Sequence, residues 1–508
     1  MRTADSVLPP AGAMPVTRAT ADHGPELKRG ALINTLALLA SNFRGVFTFL
    51  VARILGPATL GTFLVAYATM DVLSKIGMWG LDNTIIAFIA RSEAAGDRAR
   101  SRSLFRVAVF LAVTQCTILA LVAIAIIELI GNRLSLPGEM IPPLALLLCA
   151  LPGVTLYRIS TAVSRGMKVM GHDVYSRGIT ESVVTTLAFL AAVGLGATSF
   201  APALAVIIGT GASGLVALNL AASLFRQSPP PQAAISSRME AGRLLRYGTS
   251  ISAYDLLNSL IVRLDVIMLG FFIGRAPGVT LAAVGIYGTV VEVAGGLRKV
   301  NQAFNPIFAP IVASLTTDGE QERARREFSR VAQWMLWVLL PLVAVMFFAG
   351  PVILSIYGPA FRAGSGWLVI VALACGTNAL VGLAETVIMV QKPQLNLINS
   401  SVTLVVAILA NLWLISRFGV TGAAFGILLP YVLLGILRHR ALRQVFRWKN
   451  PWADLLPPFL GAFVAALPAA VCYWLVRGLV GQISSAAVFL LIYFLAWQYQ
   501  RRQRRTLA

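Results

Sequence analysis

The chain is poor in charge and poorer in chemistry. Of its 508 residues only 12% are Asp, Glu, Lys or Arg and 57% are hydrophobic; a soluble domain carries about twice that share of charge. Its four cysteines, Cys116, Cys149, Cys375 and Cys472, stand singly in apolar runs with no C-x-x-C spacing. That excludes a zinc ribbon or a dithiol motif and leaves small buried core residues. His23, His172 and His439 are far apart, so no metal cluster is expected. G-x-x-x-x-G-K-[ST], G-x-S-x-G and H-E-x-x-H are all missing, and no catalytic or ATP-driven class is suggested. The first apolar run starts at Ala31 without an A-x-A cleavage site. Residues 1–30 therefore read as a disordered, polar cytoplasmic tail ahead of a signal-anchor helix.

What is present is a series of apolar runs long enough to cross a roughly 30 Å hydrocarbon core. They fall near 31–54, 59–80, 104–130, 142–165, 178–198, 201–225, 247–273, 281–304, 331–356, 366–390, 396–416, 420–438, 455–477 and 482–500. The expected fold is an all-α polytopic membrane protein with about fourteen transmembrane helices. It divides into an N-lobe over 31–226, a cytoplasmic linker over 227–246, a C-lobe over 247–444, two extra helices over 455–500, and a basic tail over 501–508.

The surplus of cations, 42 Lys and Arg against 21 Asp and Glu, points to topology rather than to nucleic acid. Most fall in the tails and alternate loops, Arg158, Arg165, Lys168, Arg177, Arg298 and Arg438 among them. The opposite loops hold only Arg53, Arg133, Arg275, Arg362, Arg417 and Arg477. By the positive-inside rule both termini are cytoplasmic, and the basic face attracts anionic lipids. Three cations escape this sorting: Arg44, Lys75 and Arg263 lie inside apolar runs.

An internal repeat organises them. "LGTFLVAYATMDV" (60–72) resembles "VGIYGTVVEVAGG" (284–296), with Gly61 and Phe63 matching Gly285 and Tyr287 at an offset of 224 residues. Six helices per unit predict parallel repeats, which place substrate between them near the midplane. At 1.5 Å per residue, Arg44, Arg263, Asp71 and Glu292 all lie about 15–18 Å deep. Asp265 stands two residues from Arg263, and Lys75 one turn from Asp71 at the i,i+4 spacing of a helical ion pair. Charge at such depth costs about 3 kcal/mol or more, so these groups face a wet cavity or one another. The expected central site is Arg44, Arg263, Asp71, Lys75, Asp265 and Glu292, with Asn42, Asp255, Asn258 and Asn301 as further lining candidates. Glu181 and Glu385 are weaker signals, and Pro152, Pro341 and Pro430 are expected to kink their helices.

"ARILGPATLGTF" (52–63) closely resembles the R-x-L-G-P-x-x-x-G-x-[FY] turn of the Wzx-like polysaccharide-biosynthesis flippases. These belong to the multidrug/oligosaccharidyl-lipid/polysaccharide (MOP) exporter superfamily. "GLDNTIIAFIAR" (80–91), "RLDVIMLGFFIG" (263–274), "VGIYGTVVEVA" (284–294), "FNPIFAPIVASL" (304–315) and "FGVTGAAFGILLPYVL" (418–433) are similar to further blocks in the same order. The resemblance implies two six-helix lobes, alternating access, and an undecaprenyl-diphosphate-linked oligosaccharide moved from the cytoplasmic to the periplasmic leaflet of a bacterial inner membrane. Its partners would be that lipid-linked oligosaccharide, membrane lipids, and polymerase or export machinery. It further implies that cations on helices 1 and 7, here Arg44 and Arg263, hold the anionic head group.

No cofactor is expected. Coupling to a proton or sodium gradient or to the membrane potential stays open, because helix 11 offers Asn396, Asn399 and Asn411 but no acid. The extra C-terminal helices form either a packing surface or a groove for a lipid tail. A multidrug or organic-cation antiporter, a lipid II flippase, and a membrane polymerase or glycosyltransferase are the alternatives.

Overall fold

The computed structural model describes residues 43–131, 137–226, 237–317, 320–448, 452 and 455–506, and these residues form helices and no strand. Helices are numbered α1 Phe43–Met78, α2 Leu81–Ala94, α3 Arg98–Ile130, α4 Ile141–Leu148, α5 Leu151–Gly166, α6 Ser182–Gly194, α7 Ala201–Ser223 and α8 Ser237–Phe272. Then follow α9 Leu281–Gly295, α10 Arg298–Thr317, α11 Gln321–Phe348, α12 Gly350–Ser355, α13 Ser365–Gln391, α14 Pro393–Gln444, α15 Leu456–Leu475 and α16 Gly478–Thr506.

Among the described residues, ten helical runs are long and apolar enough to cross a membrane, against the fourteen expected. The difference has two physical sources. First, α1 and α14 are each interrupted by a glycine in a non-helical conformation, and each folds back on itself. Gly56 sits at φ 80°, ψ −179°, a region closed to L side chains, and Pro57 then starts the second arm where its missing N–H does no harm. The fold-back is direct: the Phe47 and Phe63 rings, which a straight helix would hold about 24 Å apart, meet edge-to-face at 5.5 Å. In α14 the break is at Gly419, and Asn411 Nδ2 donates to the Gly426 carbonyl at 3.1 Å. Second, the segments over 171–194 and 237–272 do not qualify as apolar spans. The latter, α8, takes in half of the expected linker, since residues 237–246 form its first turns.

Pro152 lies at the start of α5, where the chain restarts a helix after α4, while Pro341 and Pro430 lie inside α11 and α14. The pair α15 and α16 packs together and against α11 through Ala344, Phe348, Ala465 and Phe489.

The sequence repeat becomes a contact. A Cβ added at Gly61 would fall 2.0 Å from the Leu281 carbonyl oxygen, and one added at Gly285 would fall 1.9 Å from the Pro57 carbonyl oxygen. Pro57 and Leu281 are separated by the same 224 residues as Gly61 and Gly285. The second arm of α1 and α9 therefore cross backbone to backbone about a local two-fold relation, and only glycine permits that approach. One turn on, Leu64 fills the space beside Gly288, whose Cβ would meet it at 2.2 Å.

Gly61→Ala and Gly285→Ala are each expected to cost about 1–3 kcal/mol through overpacking and to lower the unfolding temperature in detergent by several degrees. The double variant should lose less than the summed effects, because both changes strike one contact. Gly366→Ala in α13, with open space around it, should leave thermal unfolding unchanged or slightly raised.

Candidate functional site

Midway along the second arm of α1 the apolar face is interrupted by Tyr67, Asp71 and Lys75, spaced four residues apart so that they share one side of the helix. Asp71 is the centre of the site. Its Oδ1 accepts from Arg158 Nη2 on α5 at 3.1 Å, and its Oδ2 accepts from Arg263 Nε on α8 at 3.1 Å. One carboxylate thus joins three helices. The Arg263 guanidinium also lies 5.8 Å from the centre of the Tyr67 ring, so its position is set by charge on one side and by a π face on the other.

Lys75, one turn further along, turns away from Asp71. Its Nζ lies 3.8 Å from Asp82 Oδ2 on α2 and 3.9 Å from Asp255 Oδ2 on α8. Asn83 Nδ2 donates to the same Asp255 oxygen at 2.8 Å. The end of this seam is closed by close packing of α1 and α8. Trp79 Nε1 donates to Thr249 Oγ1 at 3.1 Å, and Gly80 and Gly248 sit so near each other's helices that an added Cβ would fall 2.7 Å from a carbonyl oxygen. Asp71 lies about 15 Å from the Gly61–Gly285 crossing and about 14 Å from this second closure.

The seam is neither dry nor open. Asp71, Arg158 and Arg263 keep 20%, 18% and 24% of their side-chain surface accessible, which a sealed structural ion pair would not. Arg263 spends Nε on Asp71, and Arg158 Nη1 is buried without a hydrogen-bond partner among the described residues. Two guanidinium groups with unused donors, held on one carboxylate, are suited to bind a dianionic or diphosphate group in exchange for that carboxylate.

The expected site is therefore regrouped. Asp71, Arg263, Lys75 and Asp255 come together, whereas Asp265 and Glu292 do not join them. Asp265 is corrected from cavity residue to buried acceptor: it is 1% exposed, its Oδ2 accepts from Tyr287 Oη at 2.7 Å, and its Oδ1 accepts from the Val266 N–H. Two residues along a helix is a turn of about 200°, so Asp265 and Arg263 face opposite sides. Glu292 is half-buried near Tyr357, with no ion pair among the described residues. Asn258 accepts from Ser400, and Asn301 packs against Gly382. Asn42 and the side chain of Arg44 lie outside the described residues.

Arg158 is the residue the sequence reading missed, having been assigned to a basic loop; it stands inside α5, eight residues before its end. Arg438 corrects in the same way. It is 1% exposed and donates to Glu385 Oε2 at 2.8 Å and to the Val381 carbonyl. Tyr254 donates to the other Glu385 oxygen, which forms a second polar cluster.

The polysaccharide biosynthesis protein family matches residues 27–309, a stretch that holds both arms of α1, α5, α8 and every residue of the seam. The chain belongs to that family. It is 28% identical over 209 residues to a probable flippase, AglR, of Haloferax volcanii, in a match covering 40% of this chain and 42% of that protein. The chain thus spans about two fifths of the length of that curated relative. Among solved structures it is similar to the lipid II flippase MurJ in an inward closed conformation, with a TM-score of 0.74 at 11% identity, covering 93% of this chain and 99% of that one. It is also similar to an inward-facing MATE multidrug transporter of the MOP superfamily, with a TM-score of 0.68 at 13% identity, covering 80% and 94%. These likenesses establish the MOP-type helical fold of a multi-pass membrane protein, shared with flippases and transporters.

Asp71→Ala leaves two neighbouring guanidiniums uncompensated, so it should destabilise the protein in detergent more than Arg263→Ala does. Adding Arg263→Ala to it should restore part of the loss, with a coupling of about 1–3 kcal/mol read from thermal unfolding. Strict additivity of the two substitutions would show that the pair is not formed.

Proposed function

We propose that this chain is a flippase for a polyprenyl-diphosphate-linked oligosaccharide, of the undecaprenyl type in a bacterial inner membrane, for O-antigen, capsule or exopolysaccharide assembly. It carries its substrate from the cytoplasmic to the periplasmic leaflet by alternating access, with both termini cytoplasmic. The observation that supports this reading most directly is Asp71 shared between Arg158 and Arg263, cations on two different helices facing one seam. A diphosphate moved bare through hydrocarbon would face a prohibitive desolvation penalty. Exchanging it for Asp71 trades one set of charge-assisted hydrogen bonds for another, so the net cost is small.

Arg44, which the repeat places opposite Arg263 in sequence, is kept in the proposed set. The glycan occupies the hydrated space between the lobes over 31–226 and 247–444, and the isoprenoid tail stays among the membrane lipids. Rocking of the lobes then parts the Gly61–Gly285 crossing and the Gly80–Gly248 closure in turn.

A multidrug or organic-cation antiporter calls for a net acidic site. The seam instead holds Arg158, Arg263 and Lys75 against Asp71, Asp82 and Asp255, a balance that suits an incoming anion no worse than a cation and gives a cation no excess charge to meet.

Arg158→Ala and Arg263→Ala should each abolish translocation of a lipid-linked oligosaccharide in reconstituted vesicles and polysaccharide export in cells, with the protein still present in the membrane. Lysine at either position should restore only part of the activity, since it lacks the planar fork. Export unchanged in both alanine variants would refute the assignment.

A further inference from the structure

A second binding feature lies on helices that contribute nothing to the seam. Between α10, α11 and α16 runs a groove of about 1180 Å³ walled by Trp334, Trp337, Phe494 and Trp497, with Gln333, Gln500 and Arg501 among its polar members. The wall is ordered by ring contacts. Trp337 lies 4.8 Å from Tyr493, and Phe494 lies 5.5 Å from Trp497. Gln333 is 1% exposed, and its Nε2 has no hydrogen-bond partner among the described residues. A buried amide donor left unpaired in an apolar groove is costly unless something supplies an acceptor. At the mouth, Arg501 rests 5.5 Å over the Trp497 ring, at the strongly basic end of the chain.

We infer that this groove binds one anionic phospholipid of the bilayer, its acyl chain along α16 and its phosphate at Arg501. Length argues for a phospholipid. From Arg501 back to Ala487, the last lining residue, is fourteen residues of helix, about 21 Å, and one leaflet with its head-group region is about 20–22 Å deep. Charge argues for an anionic one, because Arg501 and the exposed Arg502 beside it attract negative head groups. The proposed substrate is a poor fit. Its phosphates belong at Asp71, Arg158 and Arg263 on α1, α5 and α8, none of which lines the groove. The inference needs only the membrane-spanning fold and stands apart from the translocation reading.

The groove carries its own reporters, three of the nine tryptophans. In a Trp413→Phe/Trp474→Phe background, which removes two other exposed indoles, the protein is reconstituted in phosphatidylcholine vesicles. Equal mole fractions of acyl-chain-brominated phosphatidylglycerol or brominated phosphatidylcholine are then added. Phosphatidylglycerol should quench at about fivefold lower concentration. Arg501→Glu, a change at an exposed site, should erase that preference, and Ala487→Phe should weaken quenching by both lipids by filling the groove. Equal quenching by the two lipids, or a preference that survives Arg501→Glu, overturns the proposal. So does preferential quenching by a brominated polyprenyl phosphate, which would give the groove to the substrate's tail.

Discussion

A charge in the middle of a membrane protein must be answered by another charge, and here one carboxylate answers two. Asp71 holds Arg158 and Arg263 at equal 3.1 Å distances, and the geometry of the seam follows. Each guanidinium is oriented by one bond and keeps nitrogens to spare. Removing the carboxylate would leave like charges side by side, whereas exchanging it for an anionic ligand would leave the electrostatics nearly unchanged. Such a pairing is stable when empty and replaceable when occupied. Asp265 shows the contrast: it is enclosed and held by the Tyr287 hydroxyl and the Val266 N–H, with almost no accessible surface for a ligand to reach.

Around this pairing the helices close at two levels. On one side Gly61 and Gly285 bring the backbones of α1 and α9 into reciprocal contact; on the other, Trp79 and Gly80 meet Thr249 and Gly248. Neither contact uses charge, and the one side-chain hydrogen bond, from Trp79 to Thr249, is exposed. Each depends on the absence of a Cβ, so it can part without stranding a buried polar group. On α1 the Asp71 pairing lies between them.

Much of the fold was legible because bilayer constraints are coarse: run length and the placement of Lys and Arg mark helices without reference to packing. The repeat was legible too, and the matched glycines turned out to touch. Reading of the site stopped where angle began to matter. Depth marked Asp71 and Arg263 but could not say that Asp265, two residues on, faces the other way, or that Lys75 prefers Asp82 and Asp255 to its i,i+4 neighbour. Arg158 and Arg438 were hidden by the same rule that sorts the cations into loops, since each sits within reach of a basic loop. Arg158 had one visible signal, a position well inside the apolar run 142–165. Arg438 had none, because its partner Glu385 is 53 residues away.

The central claim is that Asp71 occupies the place of the incoming phosphates. The measurement that tests it most directly is the affinity of the purified protein for a short-chain isoprenyl diphosphate, compared between the native chain and Asp71→Asn. If the carboxylate competes with the ligand, the variant binds more tightly, by about tenfold, the worth of a charge-assisted hydrogen bond. Weaker binding by the variant would mean that Asp71 serves only to position the arginines, and would contradict the exchange.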